Sequence, residues 1–335
     1  MDILKKACVF IGMAVGAGFA SGREVTDFFL AYGSGWKAGL IFGGILFFAV
    51  CSATSSIVRK NGITDYSGYL DTVLGEKMAA FTQWVSGLFF FIMFYAMVSA
   101  SGTAAEQFFR VPYGIGVIIF IALCAIILFK GIRAIEGISV MLVPLLMAGM
   151  MAIAGSAGGK TVSSIPAASG SVYVSAVIYV SYNVIAAPSI MISSKNSRNL
   201  MEDILTGILC GAALTVMGIA AGGAILSEPE AMNMDFPLAQ TAAGSGAVFK
   251  YCYMAVFLTA VFTTAVCNGM AAADFACEKI HIGRKMAVFL LILTAFPMSF
   301  VSFTDFVSRI YPLFGFAGIL QLSATGVYLL RKSKN

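Results

Sequence analysis

Ten apolar runs, separated by short polar connections, recur along this chain: residues 4–32, 36–58, 78–108, 112–130, 136–157, 171–194, 200–226, 247–276, 286–303 and 306–330. A membrane-spanning helix needs roughly 17–25 residues, so each run is long enough to cross. The pattern predicts an all-α membrane protein of ten transmembrane helices, a single membrane domain over residues 1–335 with no stretch among them for a separate soluble domain.

Ten spans divide into five and five, 4–157 and 171–330. An odd number in each half sends the second half into the membrane with the opposite orientation, which is the arithmetic of a 5+5 inverted repeat. A binding site between such repeats predicts interrupted helices at matching positions, the first and the sixth. The first span contains "GMAVGAGFASGREV", Gly12 to Val25; the sixth contains "SYNVIAAPSI", Ser181 to Ile190, with Pro188 inside it. Both spans are therefore expected to be discontinuous.

Composition agrees with the pattern: 59% of residues are hydrophobic and 11% charged, with mean hydropathy +0.92, beyond the usage of soluble domains. Lys5 and Lys6 run straight into the first long span. The N-terminus is read as retained, because a signal peptide has a short apolar core and a cleavage site. Seven scattered cysteines, mostly inside apolar runs, point to packing and not to a metal framework.

The net charge of +5 matters less than where the basic residues fall. With a cytoplasmic N-terminus, 15 of the 21 Lys and Arg lie on the inner side, five on the outer side, and Arg23 is drawn into the membrane. The positive-inside rule then places both termini in the cytoplasm. The connection Ser227 to Gly246, on the outer side, carries Glu228, Glu230 and Asp235 and no basic residue.

A helix broken inside the bilayer exposes N–H groups at one new end and C=O groups at the other, and lipid satisfies neither. The half-helix start near Phe19, Ala20 and Ser21 suits an anionic group, and freed carbonyls suit a small cation. A competing reading makes Gly12 with Gly16, and Gly18 with Gly22, seams for close helix packing. Packing leaves unexplained why Ser21, Arg23, Glu24 and Asp27 follow at once, since intramembrane charges are costly.

The eighth span adds "LTAVFTTAV", in which Ala260, Thr263 and Thr264 share one patch of helix. Two hydroxyls beside a backbone carbonyl can coordinate a hard cation. Threonines in membrane helices also bond back to the carbonyl one turn earlier.

"GMAVGAG" before a helix break, together with "AVFTT" in the eighth span, resembles the sodium-site motifs of leucine-transporter (LeuT)-fold proteins of the amino acid, polyamine and organocation (APC) superfamily. "GAGFASGRE" resembles the YkvI-type bacterial membrane proteins of that group. The resemblance implies a sodium ion held by the carbonyls of Gly12, Val15 and Ala260 and the hydroxyls of Thr263 and Thr264. It also implies a ligand whose charged head meets the backbone of Ala14, Ala17 and Gly18, opposite Ser181, Tyr182 and Asn183, with Tyr95 of "FFFIMFY" offering its phenol.

Arg23 and Asp305 are the implied gate pair; a local Arg23–Asp27 pair is the alternative, favoured by i, i+4 spacing. The implied function is a secondary active transporter of the bacterial cytoplasmic membrane, coupling sodium to symport of a small amino acid or related zwitterion by alternating access. A proton-coupled permease would carry a basic residue in the fifth span, and Glu136 to Ser156 has none. A non-transporting nutrient or germinant receptor on the same fold stays open. No organic cofactor and no nucleic-acid partner are expected. An intramembrane enzyme would need a nucleophile with a base or a buried acid pair; the single His281 falls in a polar connection, and Asp274 with Glu278 reads as a solvated helix end. Neither the charge rings nor the repeated filter of a channel is present.

Overall fold

Runs this apolar, with their N–H and C=O groups unable to reach water, have to close their hydrogen bonds internally, and the helix does so within one segment. The computed structural model describes residues 2–130, 135–156, 169–193, 199–244 and 246–332. The connections carrying Arg133, Lys160, Lys195 and Arg198 lie outside them. The helices are α1 (Asp2–Ser21), α2 (Arg23–Phe28), α3 (Trp36–Asn61), α4 (Tyr66–Leu74), α5 (Glu76–Phe109), α6 (Tyr113–Lys130) and α7 (Ile135–Ser156). They continue with α8 (Val172–Ser193), α9 (Leu200–Leu226), α10 (Pro237–Gly244), α11 (Ala247–Ile280), α12 (Arg284–Met298), α13 (Phe303–Asp305) and α14 (Tyr311–Lys332).

Among the described residues, eight helices are long and apolar enough to cross a membrane, and Met141–Gly155 within α7 is a shorter apolar one. The expected run 4–32 is divided into α1, α2 and a 3₁₀ turn, Leu30–Gly35. Helices α4 and α10 lie between the spans and are too short for membrane-length reasoning to register. Asp65 starts α4 by accepting the Gly68 N–H at 2.7 Å.

Two groups of four helices emerge from the packing. In one, α1 packs on α9 and α8, α8 packs on α3, and α3 crosses α9; in the other, α5, α6, α11 and α12 pack on one another. Helix α7 bridges α1, α9 and α11, while α14 bridges α8, α3 and α5. The scheme maps onto itself when α1 exchanges with α8, α3 with α9, α5 with α11, α6 with α12 and α7 with α14. The α1–α7 contact becomes α8–α14, α1–α9 becomes α8–α3, and α5–α6 becomes α11–α12. The packing is thus consistent with an inverted repeat.

The α3–α9 crossing rests on backbone contact. A Cβ on Gly211 would overlap the Gly44 carbonyl oxygen, and one on Gly44 would come within 2.9 Å of the Gly211 carbonyl oxygen, the close approach that small residues permit in membranes. Gly211→Ala is therefore expected to destabilise the fold by about 1–3 kcal/mol. Gly223→Ala, in the same helix with no atom within 4 Å of the new Cβ, should stabilise by about 0.5–1 kcal/mol. Thermal unfolding of the two purified variants checks the opposite signs.

Candidate functional site

Gly16 takes φ 35°, ψ −170° inside α1, a backbone that L side chains rarely adopt. Helical pairs spanning it would run from the N–H groups of Ala17, Gly18 and Phe19 to the carbonyls of Met13, Ala14 and Val15. The helix is interrupted at that point, and a second break follows at Gly22, φ 85°, before α2. Beyond Gly16 the carbonyls find protein partners: Gly18 O accepts from Ser21 Oγ at 2.7 Å, Phe19 O from Gly22 N at 2.9 Å, and Ala20 O from Tyr253 OH at 2.7 Å. Polar capacity for a ligand therefore concentrates around Gly16.

Helix α11 faces this break across the boundary between the two groups. A Cβ on Gly16 would lie 3.8 Å from Thr264 Oγ1, so the Thr264 hydroxyl stands directly against the interrupted backbone. Thr263 Oγ1 bonds back to the Ala260 carbonyl at 3.1 Å. Carbonyls and hydroxyls of this kind suit a hard monovalent cation. Among the described residues no cluster of His, Cys, Asp and Glu could hold a metal ion.

The sixth span differs from expectation. Helix α8 runs on through Pro188 as one helix, although proline cannot donate to the carbonyl four residues earlier. The Val184 carbonyl that Pro188 leaves free accepts Gln321 Nε2 at 3.0 Å, and the next carbonyl, Ile185 O, accepts Tyr66 OH at 2.9 Å. The defect is repaired by side chains of α14 and α4, so no gap opens there. On α8, Ser181 Oγ is buried without a partner, and Asn183 Nδ2 donates to Tyr179 O at 2.9 Å.

Two expected members are drawn elsewhere. Tyr95 shares a 2.7 Å hydrogen bond with Thr294 of α12, which makes it a tie within the second group of helices. Arg23 pairs bidentately with Asp27, at 3.0 and 2.7 Å, and also donates to Met232 O. Asp305 accepts from Ser302 Oγ at 2.6 Å and pairs with Arg309 at 3.2 Å. The Arg23–Asp305 pair is thus not formed here; i, i+4 geometry gives each charge a nearer partner.

The sequence reading passed over Glu24 as a site residue. Its carboxyl folds back over Gly18, where any Cβ would collide with it, and it is 4% exposed. Its Oε2 atom and the hydroxyls of Tyr179, Tyr182 and Tyr311 are all buried without a hydrogen-bond partner. The Glu24 carboxyl lies within interaction range of all three phenols. Their rings stack in series, Tyr179 to Tyr182 at 5.5 Å and Tyr182 to Tyr311 at 5.3 Å, with Phe28 5.7 Å from Tyr182. The three-residue spacing of Tyr179 and Tyr182, with Glu24 just after the glycines, was the available signal.

No protein-family model matches the chain. It is 26% identical to the uncharacterized membrane protein YkvI of Bacillus subtilis (strain 168), over 98% of this chain and 95% of that protein. In fold it is similar to a Na+-coupled sialic acid symporter, with TM-score 0.68 and 14% identity, over 98% of this chain and 78% of that one. It is also similar to MhsT in complex with L-phenylalanine, with TM-score 0.67 and 16% identity, over 95% and 87% of the two chains. The fold is LeuT-like, and the chain is related at low identity to YkvI-type bacterial membrane proteins.

Proposed function

We propose that this protein is a secondary active transporter of the APC superfamily, with ten spans in a 5+5 inverted repeat, that couples inward sodium movement to uptake of a small amino acid or similar zwitterion. The observation that carries the reading is the break at Gly16, which faces Thr264 across the boundary between two four-helix groups. A site at such a boundary is exposed alternately as one group rocks against the other. The sodium coupling stated for the sialic acid symporter supports an ion at this place, and the L-phenylalanine stated for MhsT supports an amino acid beside it.

The ion would be held by the carbonyls of Gly12, Val15 and Ala260 with the Thr263 and Thr264 hydroxyls. The solute would lie between Ala14, Ala17, Gly18, Phe19, Ala20 and Ser21 of the first span and Ser181, Tyr182 and Asn183 of the sixth. Arg23 and Asp305 exchange partners to gate the outer mouth, and both termini are cytoplasmic.

Uptake of labelled amino acids by purified protein in liposomes tests the reading, with sodium, potassium and proton gradients imposed separately. Accumulation under an inward sodium gradient alone is expected. Accumulation driven only by protons would replace sodium as the coupling ion, and binding without flux under every gradient would make the protein a receptor.

A further inference from the structure

A carboxylate held in low-dielectric surroundings is tolerated only with a compensating charge and hydrogen bonds. Glu24 has no compensating charge in the side chains around it. Its neighbour Arg23 donates to Asp27 through Nε and Nη2 and to Met232 O through Nη1, and no Lys or Arg pairs with Glu24 among the described residues. The uncompensated group stands at the break in α1, folded over Gly18, with one oxygen and three phenols unpartnered around it.

Its position inverts an expectation. A helix break whose backbone N–H groups await an anion is the usual seat for a substrate carboxylate. Here the protein places its own carboxylate against Gly18, so the charge still lacking at this place is positive.

We propose that Glu24, ringed by Tyr179, Tyr182 and Tyr311, binds the ammonium group of the transported solute, and that the solute's cationic nitrogen is the part the site requires. The proposal rests on the transporter reading above and names the solute class for it. The donor set distinguishes an ammonium from a bare metal cation. A hard ion is held by oxygens alone, whereas this cluster sets four aromatic rings, Phe28 included, beside its carboxylate and three phenols. A carboxylate supplies the charge-assisted hydrogen bond, and the ring faces add cation–π attraction. The gate residue Arg23, the Tyr95–Thr294 tie and the sodium donors on α11 take no part.

The test is binding to purified protein in detergent, read as ligand-dependent thermal stabilisation. L-alanine, ethylamine and propionate are compared at matched salt, with potassium and sodium chloride alone as further arms. Ethylamine is alanine without its carboxylate, and propionate is alanine without its amine. Alanine and ethylamine are expected to stabilise the wild-type protein, and propionate is not. Glu24→Gln, nearly isosteric, should weaken ethylamine binding by about tenfold or more. Tyr311→Phe keeps the carboxylate and removes one phenol, so it should weaken binding to a smaller degree and covers the case in which Glu24→Gln does not fold.

Propionate binding as well as ethylamine would overturn the proposal, as would ethylamine binding unchanged in Glu24→Gln, or stabilisation by sodium chloride alone that vanishes in that variant. The transporter reading fails separately: ethylamine binding with no flux in liposomes would leave the ammonium site standing and remove the transport.

Discussion

Replacing Thr263 and Thr264 together by alanine is expected to abolish sodium stimulation of uptake while leaving the protein folded. The two hydroxyls are not equivalent. Thr264 Oγ1 stands against Gly16, where the first span is interrupted, whereas Thr263 Oγ1 bonds to the Ala260 carbonyl at 3.1 Å. Thr264→Ala alone should therefore produce most of the loss, and Thr264→Ser, which keeps the oxygen, should recover it. Thr263→Ala removes one oxygen but releases the Ala260 carbonyl from its internal bond, so its effect should be smaller. A hydrogen-bond-strength contact to a charged group contributes about 1.5–3 kcal/mol, which is roughly ten- to hundredfold in sodium affinity. The sodium concentration giving half-maximal uptake in liposomes is the measurement. An unchanged value in the double variant would remove the ion from this place.

How far the site could be read from sequence depended on whether each residue's partner was local. The break in the first span was legible because its cause is local: the run of glycines contains Gly16 and Gly22, and the positive φ values occur at those residues. The sixth span looked broken for an equally local reason, Pro188, yet α8 is continuous. The repair comes from Gln321 and Tyr66, remote along the chain and invisible to any periodicity. The Tyr95 hydrogen bond was hidden in the same way, since Thr294, its partner, lies in another span.

Glu24 shows the converse. The sequence sets Glu24 among the costly charges with Arg23 and Asp27 but does not single it out, and only the fold reveals that Arg23 and Asp27 satisfy each other and leave Glu24 buried beneath the tyrosines. Each four-helix group takes two spans from either half, so the halves, and not the groups, were implicit in the 5+5 count. The short helices α4 and α10 were not, because span-length reasoning has no category for them.

Asp203→Ala is expected to lower stability by about 3–5 kcal/mol, the cost of removing one partner from a buried ion pair. Asp203, at the start of α9, is fully buried and joins three helices. Its Oδ1 accepts from Ser55 Oγ at 2.5 Å, and its Oδ2 accepts from Ser56 Oγ at 2.8 Å and Arg59 Nε at 2.9 Å. Ser55 Oγ in turn accepts from Lys6 Nζ of α1 at 2.6 Å. One acid therefore fastens the N-terminal half of α1 to α3 and α9, and two cations depend on it.

Thermal unfolding of the purified variant reads the loss, and an unchanged unfolding temperature would show that Lys6 and Arg59 compensate without it. Replacing Asp203, Arg59 and Lys6 together by apolar residues should recover much of the stability, because a well-packed apolar substitute for buried ions is often neutral or better. Uptake in that triple variant separates two roles for the network. If it serves stability alone, transport returns with the unfolding temperature. If the network also holds the N-terminal half of α1 in line with the break at Gly16, transport stays low in a protein as stable as the original. That second outcome is the expected one, because the apolar triple restores burial but not the directed bonds that fix α1 beside α3 and α9.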